Sequence, residues 1–182
     1  LHDLFSGGVL AVNQDGVVIA DVPRDTGRIG VNLMERDSIA TALKEGIPKV
    51  GKPVMGKKLG SPIFHISVPI RDAQGKVFGA LSGVTDLGVP NFLDQITESR
   101  FGKTGGYVLL MPKDRQIITA TDKSRIMEIL PPKGVIPTLD RFLEGWEGSA
   151  IYTTPRRVEV LGSAKAILDA YNVELSGARL GN

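Results

Sequence analysis

The 182-residue chain is long enough to bury an ordinary core, and its 42% hydrophobic content and mean hydropathy of +0.04 exclude an intrinsically disordered protein. Its 22 basic and 20 acidic residues leave a net charge of only +2, spread along the chain, which argues against a nucleic-acid partner. Cysteine is absent, so disulfides and thiolate metal sites are excluded, and the longest uncharged runs fall short of the roughly 18 residues that a membrane-spanning helix needs.

The first predicted elements form a β-hairpin. Apolar residues alternate in 8–13 and 16–22, which predicts two strands. Asp15-Gly16 between them is a strong turn signal, because glycine adopts positive φ without a steric penalty. The polar stretch 23–30 that follows is predicted to be a loop.

A helix and three more strands complete the first predicted module. Asn32 and Glu35 have the spacing of a capping box, which predicts the start of a helix, and Gly46 predicts its end. Three strands are predicted after the helix, at 50–55, 63–70 and 76–86. The last two are joined by 72–75, a hairpin loop of suitable length. The pattern favours five strands with one helix between them.

The same plan begins again in the second half. Pro90 at a first helical turn predicts a helix over 89–101 that joins two modules. The strand, turn and strand of the first hairpin recur in 105–120, an offset of about 98 residues, which predicts a second α+β module. The later predicted elements are a loop at 131–134, a helix at 138–144 and strands at 149–153 and 157–165. Whether 167–182 completes the second sheet is left open, since only part of it alternates like a strand.

Two neighbouring strands carry features that bear on function. In 63–70, Phe64 and Ile66 lie on one face and His65 and Ser67 on the other, and only the Phe64 face is predicted to be buried. The next strand is rich in small residues, which indicates that another group approaches the sheet closely. These small residues are Gly79, Ala80, Ser82 and Gly83. Either a covering helix or a bound ligand would explain them.

Several stretches resemble a double Cache sensor domain. The sequence GVNLMERD at 30–37, SVPIRD at 67–72 and GKVFGAL at 75–81 look like its membrane-distal half, and RFGKTGGYVLLMPKDRQIITATD at 100–122 looks like the opening of its membrane-proximal half. The resemblance covers about residues 5–166. It implies an α+β fold of two tandem PAS-like modules, each with a mostly antiparallel five-stranded sheet flanked by helices. The implied parts are a distal ligand-sensing module at 1–88, a connecting helix and linker at 89–104, and a proximal module at 105–182.

The resemblance also implies a function. Such regions form the periplasmic or extracellular input of a bacterial transmembrane receptor, which is a chemoreceptor, a histidine kinase or a diguanylate cyclase. The distal module binds a small metabolite, and a conformational shift passes through the proximal module. The receptor is expected to be a homodimer attached to the membrane through flanking helices outside this sequence. Neither a cofactor nor a metal is expected.

The candidate ligand-binding residues follow from the same resemblance. Arg36 and Asp37 match the motif beside the family's pocket, and an arginine can hold a carboxylate with two parallel hydrogen bonds. Asp86 ends a strand where amine-binding members place a carboxylate. Three further candidates lie on the central strands, namely His65, Ser67 and Ser82. Together these residues predict a carboxylate or a zwitterion as ligand. The plainer alternatives are a solvated helix turn for Arg36 and Asp37 and a structural role for His65.

Other functions are weighed against this one. Gly102-Lys103-Thr104 imitates the end of a phosphate-binding loop, but the upstream glycine is missing and a predicted strand, not a helix, follows. With two histidines in the chain, a His-based triad is not easily built, so catalysis is not expected. The lysines at 49–58 are interpreted as a solvated loop that could also attract an anion. A scaffold for dimerisation or partner binding that takes no ligand is the alternative, and a closed, polar-lined cavity in the first module would argue against it.

Overall fold

The computed structural model describes residues 4–100, 102–154 and 157–166, and the chain divides into two compact units, Leu1–Leu130 and Pro131–Asn182. The strands are β1 (Val9–Asn13), β2 (Val18–Val22), β3 (Lys49–Val50), β4 (Val54–Met55), β5 (Pro62–Arg71), β6 (Val77–Asp86), β7 (Val108–Met111), β8 (Gln116–Ala120), β9 (Gly148–Thr153) and β10 (Glu159–Ala164). The α-helices are α1 (Asp37–Lys44), α2 (Asp94–Thr97) and α3 (Pro137–Leu143), and Arg24–Thr26 and Lys123–Arg125 form short 3-10 helices. The predicted α+β class is confirmed.

The main sheet of the first unit is antiparallel, with the order β2-β1-β6-β5-β3, and β4 also pairs with β5. The predicted first hairpin is confirmed, with Val9 opposite Val22. The loop 72–75 joins β5 and β6 as predicted, and the Asp72 carboxylate accepts hydrogen bonds from the backbone N–H groups of Gln74 and Lys76 at 3.0 and 2.9 Å. Local turn chemistry therefore fixes both hairpins.

The strand predicted at 50–55 is divided in two. The backbone N–H of Gly51 donates to the carbonyl of His65 at 2.8 Å, and pairing is then interrupted before β4 begins. Pro53 lies in the interruption and has no N–H to donate to a strand ladder. The edge of the sheet is consequently two short pieces, and the sheet has six strands where five were predicted.

The helix α1 ends as predicted but begins later. Gly46 has φ +70° just beyond the helix, the conformation that glycine adopts most readily. The predicted capping box is wrong, because the Asn32 amide donates to the Asp15 carbonyl at 2.9 Å and its oxygen accepts the N–H of Met34. The helix begins after Arg36, which forms no side-chain cap. Asn32 therefore does not cap the helix; its side chain stabilises a local turn and bonds to the first hairpin.

The burial predicted for the two faces of β5 is wrong in part. His65 and Ser67, on the face expected to be open, are 3% and 0% exposed, whereas Val68 on the other face is 38% exposed. The reason is α1, which contacts β5 and β6 and packs Ile39 into the core above them. That core consists of Leu10, Val12, Val18, Leu33, Ile39, Ala42, Ala80 and Val84. The polar face is therefore the one that the helix covers.

The small residues of β6 are explained by close packing. A Cβ on Gly83 would lie 2.4 Å from the Phe5 ring, and a Cβ on Gly79 would lie 2.6 Å from the carbonyl oxygen of Val12. Ala80 is fully buried in the core that includes Ile39 of α1. A covering helix and neighbouring chain segments thus account for these positions, which is the first of the two explanations given above.

The long helix predicted at 89–101 is wrong, since only Asp94–Thr97 is α-helical. The Asn91 side chain accepts the N–H of Leu93 at 3.1 Å, and the Asp94 carboxylate accepts the N–H of Asn91 at 3.0 Å. Such local side-chain hydrogen bonds offer the backbone an alternative to helix. Lys123 bonds to Asp94, and also to the hydroxyls of Thr97 and Thr119 at 3.0 and 2.9 Å, which ties α2 to β8.

The second hairpin is confirmed as β7 and β8, and its apolar residues Met111 and Ile118 form a second core cluster with Phe64, Leu87 and Leu93. In the second unit, α3 is confirmed and β9 pairs with β10 in a two-stranded antiparallel sheet. The sequence left open whether 167–182 completes the second sheet, and this segment lies outside the described residues. Among the residues described, no helix is both long and apolar enough to cross a membrane.

Candidate functional site

A cavity of about 40 Å³ lies in the first unit, lined by the main sheet, by α1 and the segment before it, and by the loop between β4 and β5. Its lining residues are Leu10, Arg28, Val31, Leu33, Arg36, Ile39, Gly56, Lys57, Lys58, Leu59, Ile63, His65, Ser82 and Val84. The volume corresponds to about three water molecules. Six of the fourteen lining residues are charged or polar and seven are aliphatic, and the inner surface of the cavity is formed almost entirely by apolar atoms.

The charged groups of the lining are all cationic. Arg28, Arg36, Lys57 and Lys58 contribute to the wall, and no carboxylate does. Lys57 forms an ion pair of 2.9 Å with Glu35, and the hydrogen bond from Lys57 holds the pKa of Glu35 below its ordinary value. The positive charges are thus only partly balanced by neighbouring acids, and the site favours an anion.

Arg36 is held at the wall by backbone and side-chain contacts. Its Nη2 donates to the carbonyl of Met55 at 3.1 Å, its Nε lies 3.8 Å from Glu35 Oε1, and its side chain is 12% exposed. Its Nη1 makes no hydrogen bond with any described residue. A guanidinium fixed on one side and unused on another is suited to hold a ligand carboxylate.

Arg28, which also lines the cavity, is fixed by a buried ion pair. Its Nε donates to both oxygens of Asp21, at 3.1 and 3.0 Å, and Nη2 forms a further contact with the same carboxylate. Thr26 also donates to Asp21. Burial alone would raise the pKa of Asp21, but the hydrogen bonds from Arg28 and Thr26 outweigh it, so the pKa lies below its ordinary value. The carboxylate is therefore ionised and occupied by Arg28.

His65 lies in the cavity wall with neither ring nitrogen hydrogen-bonded to any described residue. The pKa of His65 is lowered from 6.5 to about 4, chiefly by burial and also by the nearby Arg36 charge, while the Asp37 charge acts in the opposite direction. The ring is therefore neutral at pH 7. Buried polar groups without partners are rare in native proteins, and a ligand is one way to satisfy them.

Three serines join the cavity wall to α1. The Ser38 and Ser67 hydroxyls are 2.9 Å apart, and Ser67 donates to Ser82 at 3.0 Å. All three are buried, and Ser82 is the member that lines the cavity. The hydroxyl of Ser82 is thus connected through Ser67 to Ser38 of α1.

The structure brings together some of the predicted site residues and separates others. Arg36, His65 and Ser82 line the cavity, and Ser67 lies directly behind Ser82. Asp37 is outside the lining and accepts the N–H of Ser38. Asp86, also outside the lining, accepts the N–H of Gly88 at 2.8 Å.

Sequence reasoning missed three cations of the lining, Arg28, Lys57 and Lys58. Lys57 and Lys58 belong to the lysine-rich stretch that was interpreted as a solvated loop, so a signal for them was present. No sequence pattern predicted that Arg28 lines the cavity, because its side chain is positioned by Asp21. That residue lies seven positions earlier, on the other side of a 3-10 helix.

The fold is that of bacterial extracellular ligand-binding sensor domains, as the comparison with solved structures shows. The chain is similar to the ligand-binding domain of the Pseudomonas aeruginosa PAO1 amino acid chemoreceptor PctB in complex with L-Gln, with a TM-score of 0.62 and 21% identity over 85% of this chain and 59% of that one. It is also similar to the ligand-binding domain of the chemoreceptor PctC from the same organism in complex with GABA, with a TM-score of 0.58 and 19% identity over 81% and 61%.

A third similar structure is an extracellular ligand-binding receptor from Desulfohalobium retbaense, with a TM-score of 0.61 and 18% identity over 85% of this chain and 26% of that one. The chain thus spans between about a quarter and three fifths of the length of these structures. No family model and no curated protein matches the sequence. The Cache-type resemblance predicted from the sequence is therefore confirmed at the level of the fold, which the chain shares with these ligand-binding domains.

Proposed function

We propose that the chain is the extracytoplasmic sensor region of a bacterial transmembrane receptor and that it binds a small organic acid in the cavity of the first unit. The observation that carries the proposal is the cavity itself, whose charged lining is entirely cationic and whose buried histidine has no partner among the described residues. The fold shared with chemoreceptor sensor domains supports the sensing role. The region is accordingly periplasmic or extracellular, and any catalytic output lies in another part of the receptor.

The charges favour a carboxylate over the other ligands that the sequence allowed. The Arg36 guanidinium offers unused donors at the wall, and Lys58 forms no ion pair with a described residue. Charge-assisted hydrogen bonds of this kind are the strongest ones available to a carboxylate. The aliphatic remainder of the wall suits a short carbon skeleton.

The arrangement of the chain is part of the proposal. We infer two tandem PAS-like modules, with ligand sensing in 1–88, a connection at 89–104 and relay through 105–182, in a homodimeric receptor. The recurrence of the β1–β2 hairpin as β7–β8 supports the tandem plan. A ligand shifts such a relay only through its different affinity for two conformations, a coupling of about 1–3 kcal/mol.

The first prediction concerns Arg36. Saturating amounts of a bound short organic acid, at about 100 times its Kd, are expected to stabilise the protein by about 2.7 kcal/mol in a thermal-shift screen. Arg36→Ala is expected to weaken that binding about tenfold or more in isothermal titration calorimetry, because the charge-assisted hydrogen bonds to the carboxylate are lost.

Arg24→Ala is the matched control, since Arg24 is exposed, carries the same charge and lies outside the cavity lining. It is expected to bind the acid as the wild type does. Equal weakening in both variants would show that only general charge matters. Absence of a shift with every organic acid and amino acid would instead favour a scaffold without a ligand.

A further inference from the structure

We propose that residues 54–61, here called the lid, move away from the main sheet to admit the ligand and close over it, and that this structure is the closed form. The inference rests on the proposed function and adds the step that makes the site accessible. It starts from the size of the cavity. About 40 Å³ holds about three water molecules, and most organic acids have more non-hydrogen atoms than that. The cavity must therefore widen before such an acid can enter.

The charged ends of the lining residues are directed away from the inside of the cavity. Its inner surface is formed almost entirely by apolar atoms, although four cations belong to the lining. Arginine and lysine can place an aliphatic stem on an apolar surface while the charged end lies elsewhere. The charged end of Arg28 is bound to Asp21, and that of Lys57 to Glu35. The charges of the lining therefore reach a ligand carboxylate only after part of the wall has moved.

Most of the wall is firmly attached to the fold. The strand residues of the lining belong to β1, β5 and β6, which lie inside the sheet, and α1 packs on β5 and β6. The segment 28–33 is bound to the first hairpin by three backbone hydrogen bonds of 2.8 to 3.0 Å, and also by the buried ion pair of Arg28 with Asp21. The remaining part of the wall, from Gly56 to Leu59, belongs to the lid.

The lid is attached more weakly than the other parts of the wall. It begins after the fully buried Pro53, and β4 pairs with only two residues of β5. One of these two is Pro62, which has no N–H to donate. The hydrogen bonds from Gly56 to Ser61 and from Gly60 to Gly56 lie within the lid, so they move with it. Regions with few bonds to their surroundings open at a lower free-energy cost than the core does.

Polar contacts hold the lid against the segment that precedes α1. The Arg36 Nη2 donates to the Met55 carbonyl at 3.1 Å, and the Lys57 Nζ lies 2.9 Å from Glu35 Oε1. Both members of the Lys57–Glu35 pair are partly exposed, so this contact stabilises the closed form only slightly. A ligand carboxylate that replaces Glu35 beside Lys57 and Arg36 would be held by the same cations. The lid would then close over the bound acid.

The test measures lid opening by the reactivity of a single introduced thiol, since the sequence contains no cysteine. Ser82→Cys and Val84→Cys place the thiol at the cavity wall, whereas Ala80→Cys places it on the same face of β6 but outside the lining. All three positions are buried. With methyl methanethiosulfonate, a small uncharged reagent, both wall variants should react at least about tenfold faster than Ala80→Cys, because they need only the lid to open. Val84→Cys provides the measurement if Ser82→Cys, which alters the bond to Ser67, does not fold.

A second substitution tests the contact that holds the lid. Glu35→Gln is expected to raise the reaction rate of the wall thiols about two- to fivefold, because it removes the charge that pairs with Lys57, and to leave the rate of Ala80→Cys unchanged. Glu45→Gln is the matched control, since Glu45 is exposed, carries the same charge and lies outside the lining. It is expected to change neither rate.

Equal rates at the wall thiols and at Ala80→Cys would show that the cavity opens only when the whole protein unfolds, and the lid would be wrong. Faster wall thiols whose rate is the same in Glu35→Gln as in Glu45→Gln would overturn the role of the Lys57–Glu35 contact. The labelling uses no organic acid, so its failure is distinguishable from that of the proposed function. A thermal-shift screen without a hit would overturn the acid as ligand, whatever rates the thiols show.

Discussion

Asp21→Asn is expected to lower the free energy of unfolding by about 3–5 kcal/mol, the largest single effect that we predict. The Asp21 side chain is 0% exposed and that of Arg28 is 8% exposed, so the substitution leaves a buried guanidinium without its counter-charge. The three hydrogen bonds from Arg28 and the one from Thr26 are weakened or lost together. Urea denaturation followed by circular dichroism measures the change.

The control is a carboxylate–cation pair at the surface. Glu147 pairs with Lys165, whose side chain is 79% exposed. Glu147→Gln is expected to leave the free energy of unfolding nearly unchanged, because solvent screens an exposed pair. A similar loss in both variants would show that the burial of the Asp21–Arg28 pair does not matter.

Local signals in the sequence predicted the hairpins well. Asp15-Gly16 and the loop 72–75 carry their own turn chemistry, in which the Asn13 and Asp72 side chains accept backbone N–H groups. Such turns depend on a few adjacent residues, so a sequence pattern contains the information needed. The helix end at Gly46 was predicted for the same reason.

Features that depend on distant contacts were predicted less well. The faces of β5 were misjudged because polarity suggested solvent at His65 and Ser67, whereas α1 covers them and Ser38 bonds to Ser67. Asn32 has the right spacing for a cap but bonds to Asp15 instead, 17 residues away in sequence. Burial and pairing of this kind are set by the tertiary fold.

Only part of the candidate site was predicted from the sequence, because some of its residues are placed by contacts between distant parts of the chain. Arg36, His65 and Ser82 were chosen from a motif and from strand alternation, and they line one cavity. Asp86 was chosen from its place at a strand end, yet its carboxylate accepts the N–H of Gly88 outside the lining. The position of the Arg28 side chain depends on its ion pair with Asp21, which no local sequence pattern predicts. The sequence pattern shows where a residue lies along a strand, but it does not show which distant residue a loop side chain will contact.

The stability of the protein is expected to fall by about 2 kcal/mol between pH 7 and pH 5 because of His65. Burial lowers the pKa of His65 from 6.5 to about 4, so between these values the unfolded chain binds the proton and the folded protein does not. Stability therefore rises with pH through this window and is lost as the pH falls. The charges that act on the ring are Arg36, which opposes protonation, and Asp37, which favours it.

The experiment compares wild type with His65→Gln by urea denaturation at pH 5, 6 and 7. The glutamine of the variant carries no charge at any of these pH values. The free energy of unfolding of His65→Gln should therefore change less steeply with pH than that of the wild type. His2 is present in both proteins and cancels in the comparison. The pKa of both Asp21 and Asp94 lies below 3.8 in the folded protein, so their contributions are lost mainly below pH 5. Equal slopes in the two proteins would mean that His65 takes up its proton as readily in the folded state as in the unfolded one, and that burial does not keep the ring neutral.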